Sequence, residues 1–198
     1  MPPKAQFSKQ QILDAALKIS INSGISTLTV RKIAGVLGCS VAPIYVNFKN
    51  TDSLLQAVMD QIRTILWKYS TKSYTDIGFF NIGIGQILFA KDYPFLFLDL
   101  LNHDDNCLEI PEEQEVRMLD IMEEDSMLEG LSRKQNRDLL QKMSIFTYGL
   151  SVSLSKKQTT LSIEDAIRLL EETAHQLILS YKENFLAKYV HLTQIDLY

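Results

Sequence analysis

The sequence predicts an all-α chain, with a small amino-terminal three-helix unit over residues 1–50 and a larger helical body over residues 51–198. Two observations predict it. Apolar residues recur at i, i+3, i+4 and i+7 in one segment after another, which stripes one side of a helix. No alternating run of about four to eight residues is bounded by the turn chemistry of a hairpin, so strands have no support. The 198 residues are 46% hydrophobic and 22% charged, an ordinary balance for a globular chain with a sizeable core.

Residues 1–7 form a basic arm with two prolines and read as mobile. The first helix covers residues 8–22, with Ile12, Ala15, Ala16 and Ile19 on one side and a capping box of Ser8 and Gln11 at its start. Gly24 ends it, and residues 25–28 lead onward. Thr29 caps the second helix, whose apolar stripe is Val30, Ile33, Ala34 and Leu37 and whose other side carries Arg31 and Lys32. Gly38 suits a left-handed C-terminal position, and Ser40 is placed to start a third helix. That helix is expected to turn Val41, Ile44 and Phe48 inward and to leave Ala42, Pro43, Tyr45 and Asn47 outward. Pro43 falls in the first turn, where its missing N–H costs least. The stretch 29–48 therefore reads as a helix-turn-helix.

A long helix begins at Asn50 or Thr51 and runs to about Tyr69, with Leu54, Val58, Ile62, Ile65, Leu66 and Tyr69 on one side, and it bridges the two units. Residues 71–78 are a loop. A centrally buried helix follows from Phe79 to about Asp92, broken by Pro94, and a short helix runs from Phe95 to about Leu101. Pro111, Glu112 and Glu113 open another helix, where acidic side chains suit the positive end of the dipole, and Met118, Leu119 and Met122 are its apolar side. Residues 123–130 are an acidic turn. Ser132 caps a helix to about Leu154, with Leu139, Met143, Phe146, Leu150 and Leu154 apolar and Gly149, Ser151 and Ser153 small. Ser162 caps the last helix, whose seam is Ile163, Ala166, Ile167, Leu170, Ala174, Leu177, Ile178, Tyr181 and Phe185. The pattern fades after Lys188.

The order Ile12-Leu13-x-Ala15-Ala16, Gly24, Thr29-Val30-x-x-Ile33-Ala34, Leu37-Gly38, Ser40, Ile44-Tyr45-x-x-Phe48, Leu54 resembles the DNA-binding domain of the TetR family of bacterial transcriptional regulators. The run from Phe89 to Phe97 resembles an F-A-x-x-x-P-x-L-F pattern found at this place in many of its members. Two positions depart from the family. Asn47 stands where a histidine is frequent, and Thr51 where a lysine is usual; both positions commonly touch phosphates, and Lys49 can compensate for the second.

The resemblance implies a helical body that binds a small hydrophobic effector and pairs with a second copy through its last two long helices. Leu139, Met143, Leu150, Ile167, Leu170, Ala174, Leu177, Ile178 and Tyr181 are the expected dimer interface, although such a seam also suits the core of a monomer. Trp67, Phe80, Phe89, Tyr93, Met118, Met143 and Phe146 are the expected effector contacts, against the alternative that an aromatic and methionine stripe is solid packing. It also implies a repressor released from its operator by that effector; an activator of the same fold is the alternative.

Charge agrees with a nucleic-acid-binding head. The net charge of −4 is unevenly spread: residues 1–50 carry six basic side chains against Asp14 alone, a net of +5, and the other 148 residues hold 14 basic and 23 acidic side chains, a net of −9. A basic head supplies the phosphate neutralisation that underlies duplex affinity, while the acidic body is repelled from the backbone. Thr29, Tyr45, Lys49 and, more weakly, Thr51 are candidate phosphate contacts. Ser40, Val41, Ala42 and Pro43 are candidate base contacts, with Asn47 able to reach either; this small apolar surface suits thymine methyl groups and shape. So short a recognition helix reads few base pairs, so two copies on an inverted-repeat operator of double-stranded DNA are expected. The other reading of the same head, with Asn47 and Thr51 altered, is a protein-interaction module.

Several classes find little support. Cys39 and Cys107 have no metal-type or disulfide spacing and suit a reduced cytoplasm. The start of the chain has no apolar signal region, and the apolar stretch 77–101 is interrupted too often to span a membrane, so a cytoplasmic protein without membrane partners is expected. His103, Asp104, Asp105 and Cys107 crowd one polar stretch, but no second cluster completes a metal site, so neither metal nor cofactor is expected. An enzyme is not expected: Gly83 and Gly85 lie inside an apolar helix rather than after a strand, there is no G-x-S-x-G elbow, and three scattered histidines lack partners.

Overall fold

The computed structural model describes residues 7–103 and 110–183. The expected arm up to Gln6, the His103–Cys107 cluster beyond its first residue, and Phe185 lie outside them. Among the described residues the chain is all-helical: α1 Lys9–Ser23, α2 Val30–Leu37, α3 Ala42–Asn47, α4 Thr51–Ser70, α5 Gly78–Asp92, α6 Pro94–His103, α7 Glu112–Glu123, α8 Arg133–Ser155 and α9 Ile163–Lys182. Single 3-10 turns at Ile25–Thr27 and Ser126–Leu128 join α1 to α2 and α7 to α8. None of these helices is long and apolar enough to cross a membrane.

Caps of short sequence span form where their partners lie three residues apart. Ser8 Oγ accepts the Gln11 N–H at 3.2 Å while Gln11 Oε1 accepts the Ser8 N–H at 2.9 Å, and Ser132 and Gln135 repeat the box on α8. Asn50 and Ser53 do the same for α4, and Ser162 caps α9. The start of α5 has no side-chain cap from its own neighbourhood. It is capped from afar: Asp125, after α7, accepts the Phe79 N–H at 3.1 Å and the Met127 N–H at 3.0 Å. Asn81 then pins the preceding loop, its Oδ1 accepting the Tyr74 and Thr75 N–H groups at 3.0 and 2.8 Å.

Two buried clusters organise the molecule. One joins Ile12, Ala16, Ile33, Ile44, Phe48, Leu54 and Ile62 of the first four helices to Phe89 and Ala90 of α5 and Leu96, Phe97 and Leu100 of α6. The expected boundary at residue 50 thus crosses a shared core, and α4 packs in it along most of its length. The other cluster lies wholly in the body, among α5, α7, α8 and α9, with Phe79, Ile87, Leu119, Leu139 and Leu170 in its interior. Helices α4 and α5 approach so closely at Gly85 that a Cβ there would stand 2.2 Å from the Tyr69 carbonyl oxygen.

The placement of α8 and α9 commits the expected interface residues to the chain itself. Leu139, Met143, Leu150, Leu170, Ala174, Ile178 and Tyr181 are buried against the chain's own core, and Ile167 and Leu177 pack partly against it. Their apolar surface is consumed within one chain, because α5 lies beneath both helices. Ile145 on α8 and Leu169 and Leu179 on α9 are the large apolar side chains left exposed there. At the α8–α9 contact the Lys142 amine, followed by the Tyr181 hydroxyl, holds the Asp138 carboxyl below the usual carboxylate range, and Lys142 lies 2.7 Å from both partners.

Candidate nucleic-acid interface and body cavity

The reading head is built around Gly38. Its backbone is left-handed, φ 66° and ψ 32°, and its N–H together with that of Cys39 closes α2 on the Ala34 carbonyl. Thr29 caps the other end of α2, its hydroxyl accepting the Lys32 N–H at 3.2 Å. Ser40 does not cap α3, contrary to expectation: Val41 precedes the helix and no side chain caps it. Pro43 removes the N–H that a capping side chain would meet, and the Ile44 N–H bonds the Val41 carbonyl at 3.1 Å instead. Being ahead of the helix rather than on its inner stripe, Val41 is exposed and not inward.

Ile44 and Phe48 anchor α3 to the core, and Lys9 sits 5.4 Å from the centre of the Phe48 ring. The opposite side is left bare. Val36 is 50% exposed, Val41 38%, Tyr45 52% and Val46 80%. Ser40, Ala42, Lys49 and Thr51 are exposed with them, and Pro43 partly so. Tyr45 therefore stands out from the head instead of packing on α1. Val36 and Val46, missed in the reading of the sequence, also belong to this surface; Val46 stands four residues after Ala42, a helical spacing that puts both outward. Arg31 and Lys32 are exposed on α2 beside it.

Asn47 is half-buried and already engaged. Its amide nitrogen donates to the Pro43 carbonyl at 2.9 Å and to the Phe7 carbonyl at 3.1 Å, tying the segment that enters α1 to the end of α3. What remains is a carbonyl acceptor, which can meet a base donor but not a phosphate oxygen.

In the body a cavity of about 160 Å³ opens between α4, α5, α6, α7 and α8. Trp67 and Met118, two of the expected effector contacts, line it. Phe80 and Met143 line a neighbouring void of about 20 Å³. Phe146 borders neither. Phe89 and Tyr93 do not either: they pack with Tyr69 into an aromatic cluster, ring centres 5.6 to 6.0 Å apart, that closes the junction of α4 and α5. Burial, then the hydrogen bond to Asp92 at 2.8 Å, raises the Tyr69 hydroxyl well above the ordinary tyrosine range, so it stays protonated there. The lining residues missed from sequence are Arg63 and Leu66 beside Trp67, Gln86, and Ser144 with Tyr148. Gln86 carried a readable signal: a polar residue in the middle of an otherwise apolar helix.

A three-helix head whose second and third helices meet at a left-handed glycine, set on an all-helical body, defines a helix-turn-helix protein. Residues 12–58 match the family model described as bacterial regulatory proteins, tetR family. The chain is 29% identical over 110 residues to YvkB of Bacillus subtilis (strain 168), an uncharacterized HTH-type transcriptional regulator; the match covers 48% of this chain and 57% of that relative, little more than half its length. Among solved structures, a single-residue variant of TetR from Acinetobacter baumannii AYE, in complex with minocycline, is similar in fold at a TM-score of 0.60 and 17% identity, over 89% of this chain and 97% of that one. A tetR-family transcriptional regulator from Streptomyces coelicolor gives 0.64 at 14% identity, over 90% and 85%. Residues 12–58 thus carry the amino-terminal domain of the TetR family of bacterial regulatory proteins, and the chain as a whole shares the fold of the TetR-family structures.

Proposed function

We propose that this chain is a homodimeric DNA-binding transcriptional regulator, a repressor that holds an inverted-repeat operator until a small, largely apolar molecule enters the body and releases it. The observation that carries the reading is the bare outer surface of α2 and α3, where Tyr45 and Val46 project beside Arg31, Lys32 and Lys49. Such a surface meets phosphates with its cations and with the Thr29, Tyr45 and Thr51 hydroxyls. It meets thymine methyls and the groove wall with Val41, Ala42, Pro43 and Val46. Titration of a fluorescent duplex from upstream of the protein's own gene, at two salt concentrations, tests it. Lys49→Ala is expected to reduce the slope of log affinity against log salt by roughly 0.9. Tyr45→Ala is expected to weaken binding about tenfold, the loss of roughly 1.4 kcal/mol of contact. Absence of binding at low salt, to this duplex and to a random pool alike, would overturn the reading.

The apolar character of Val36, Val41 and Val46 favours one competitor, a head that docks on a protein. Salt-insensitive capture of a protein partner together with failure on DNA would establish it.

The dimer is proposed to form through the outer side of α8 and α9. Ile145, Leu169 and Leu179 are exposed there, and a Cβ added at Gly149 would meet open space, so a second backbone can come close. Ile145→Asp is expected to convert a dimer to a monomer by light scattering while leaving the helical signal unchanged. A wild-type chain that is already monomeric at micromolar concentration would refute the pairing.

A further inference from the structure

We infer that the body cavity is a site for a neutral, planar aromatic molecule of one or two fused rings that carries an amide, lactam or hydroxyl group. The inference rests on the ligand-released reading above and gives the ligand its chemistry. Size sets the first limit. A cavity of roughly 150 Å³ with aliphatic and aromatic walls takes up benzene, whereas sites for drug-sized molecules run to about 300–1,000 Å³. At about 160 Å³ this cavity accommodates one or two rings.

The walls set the second. Trp67, Phe97 and Tyr148 line the cavity, the last two with ring centres 5.7 Å apart, so a flat π-system finds faces and edges to pack on. The third limit is polarity. Gln86, Gln114 and Ser144 also line it, and among the described residues none of these three side chains makes a hydrogen bond to protein. Asn81, the other amide within α5, is fully engaged by the loop before it. A half-buried amide with both a donor and an acceptor unmet is matched by a ligand group that offers both, and a bare hydrocarbon would leave it unsatisfied. Gln86 and Ser144 border the 20 Å³ void as well, which gives that polar group room beyond the rings.

Charge sets the last limit. Among the described residues Arg63 is the one charged side chain on the lining, and it is ion-paired with Asp60 at 2.9 Å. An anionic ligand would compete with that carboxylate for the guanidinium, and a cationic one would face the guanidinium. A neutral ligand meets neither obstacle.

Trp67 is the only tryptophan of the chain, so its fluorescence reports on this cavity without a label. The full-length protein is titrated with benzamide, quinolin-2-one, benzoate and toluene. Benzamide and quinolin-2-one should give saturable changes, with benzoate and toluene at least tenfold weaker. Gln86→Leu should lose about tenfold for the two amides and gain for toluene. Because a core position can affect folding, Ser144→Ala and Gln114→Leu, both at partly exposed positions, should each weaken quinolin-2-one severalfold with the helical signal unchanged. Benzoate binding as tightly as benzamide, amide binding indifferent to all three variants, or no saturable change from any probe would overturn the assignment. The same probes added to the protein–duplex complex separate the two readings. Amide binding that leaves DNA affinity unchanged sinks release by ligand but keeps this site, whereas release by a molecule indifferent to Gln86 keeps release and sinks this site.

Discussion

Gly85→Ala is expected to lower the unfolding free energy by roughly 3 kcal/mol, at the upper end of what overpacking one methyl costs. The added Cβ would stand 2.2 Å from the Tyr69 carbonyl oxygen, 2.5 Å from its carbon and 2.7 Å from the Ser70 Cα, all of them backbone atoms. Backbone cannot rotate out of the way as a side chain would, and packing as dense as a protein interior transmits the strain, so α4 and α5 must separate. Gly149→Ala is the control. It too lies within a helix, but within the single chain a Cβ there meets open space, so at concentrations where the chain is monomeric it should gain the roughly 0.5–1 kcal/mol that alanine brings over glycine in a helix interior. Urea unfolding followed by far-ultraviolet circular dichroism measures both, at one protein concentration because dimerisation would add to apparent stability. A Gly85→Ala protein as stable as its parent would show that α4 and α5 do not approach this closely. A Gly149→Ala protein that is less stable, and only at high concentration, would point to a partner packed on that glycine.

Interactions of short sequence span were legible, and those of long span were not. Ser8, Thr29, Asn50, Ser132 and Ser162 bond N–H groups three residues on, so residue type and spacing suffice to find them. The cap of α5 comes from Asp125, 46 residues away, and nothing near Ile77 announces it. Apolar seams show the same limit in another form. The pattern of α9 identifies Leu170, Ala174 and Ile178 as one stripe, but a stripe states only that something covers it, and here α5 does so within the chain. Leu169 and Leu179 lie off that stripe and are exposed. The aromatic residues divide likewise. Their size and helical spacing put Trp67 and Phe89 in the interior with equal force, yet Trp67 borders empty space and Phe89 is enclosed by Tyr69 and Tyr93. Whether a wall closes depends on neighbours from other helices, which a one-dimensional pattern does not name. The reading head was the most legible part because its turn, its cap and its anchors all fall within twenty residues.

Asp99→Leu is expected to cost about 3 kcal/mol, with Asp99→Asn costing about 1 kcal/mol because an amide carbonyl still accepts a hydrogen bond where an alkyl chain cannot. Asp99 is buried on α6, and its carboxylate accepts the Ile25 N–H at 2.7 Å, in the connection between α1 and α2 of the reading head. Gly24 makes the approach possible. Its φ is 78°, which disfavours a side chain, and a Cβ there would lie 3.4 Å from both carboxylate oxygens. Leucine at 99 leaves a buried N–H unmet, so the Ile25 amide should lose protection from hydrogen exchange while amides within α8 keep theirs. Unchanged protection at Ile25 would show that the carboxylate does not hold the head. The consequence reaches further, because α6 touches both ends of the molecule: Phe97 and Leu100 line the body cavity, while Asp99, between them in sequence, grips the head. If an occupant of the cavity displaces α6, that carboxylate is a direct route from the cavity to the head. On the proposed release by ligand, the loss of duplex affinity on binding an aromatic amide should therefore shrink in Asp99→Leu, even where the amide binds as tightly as before. A ligand effect on DNA that is undiminished in this variant would point away from α6 and toward α4 or α5, which also join the head's core and line the cavity.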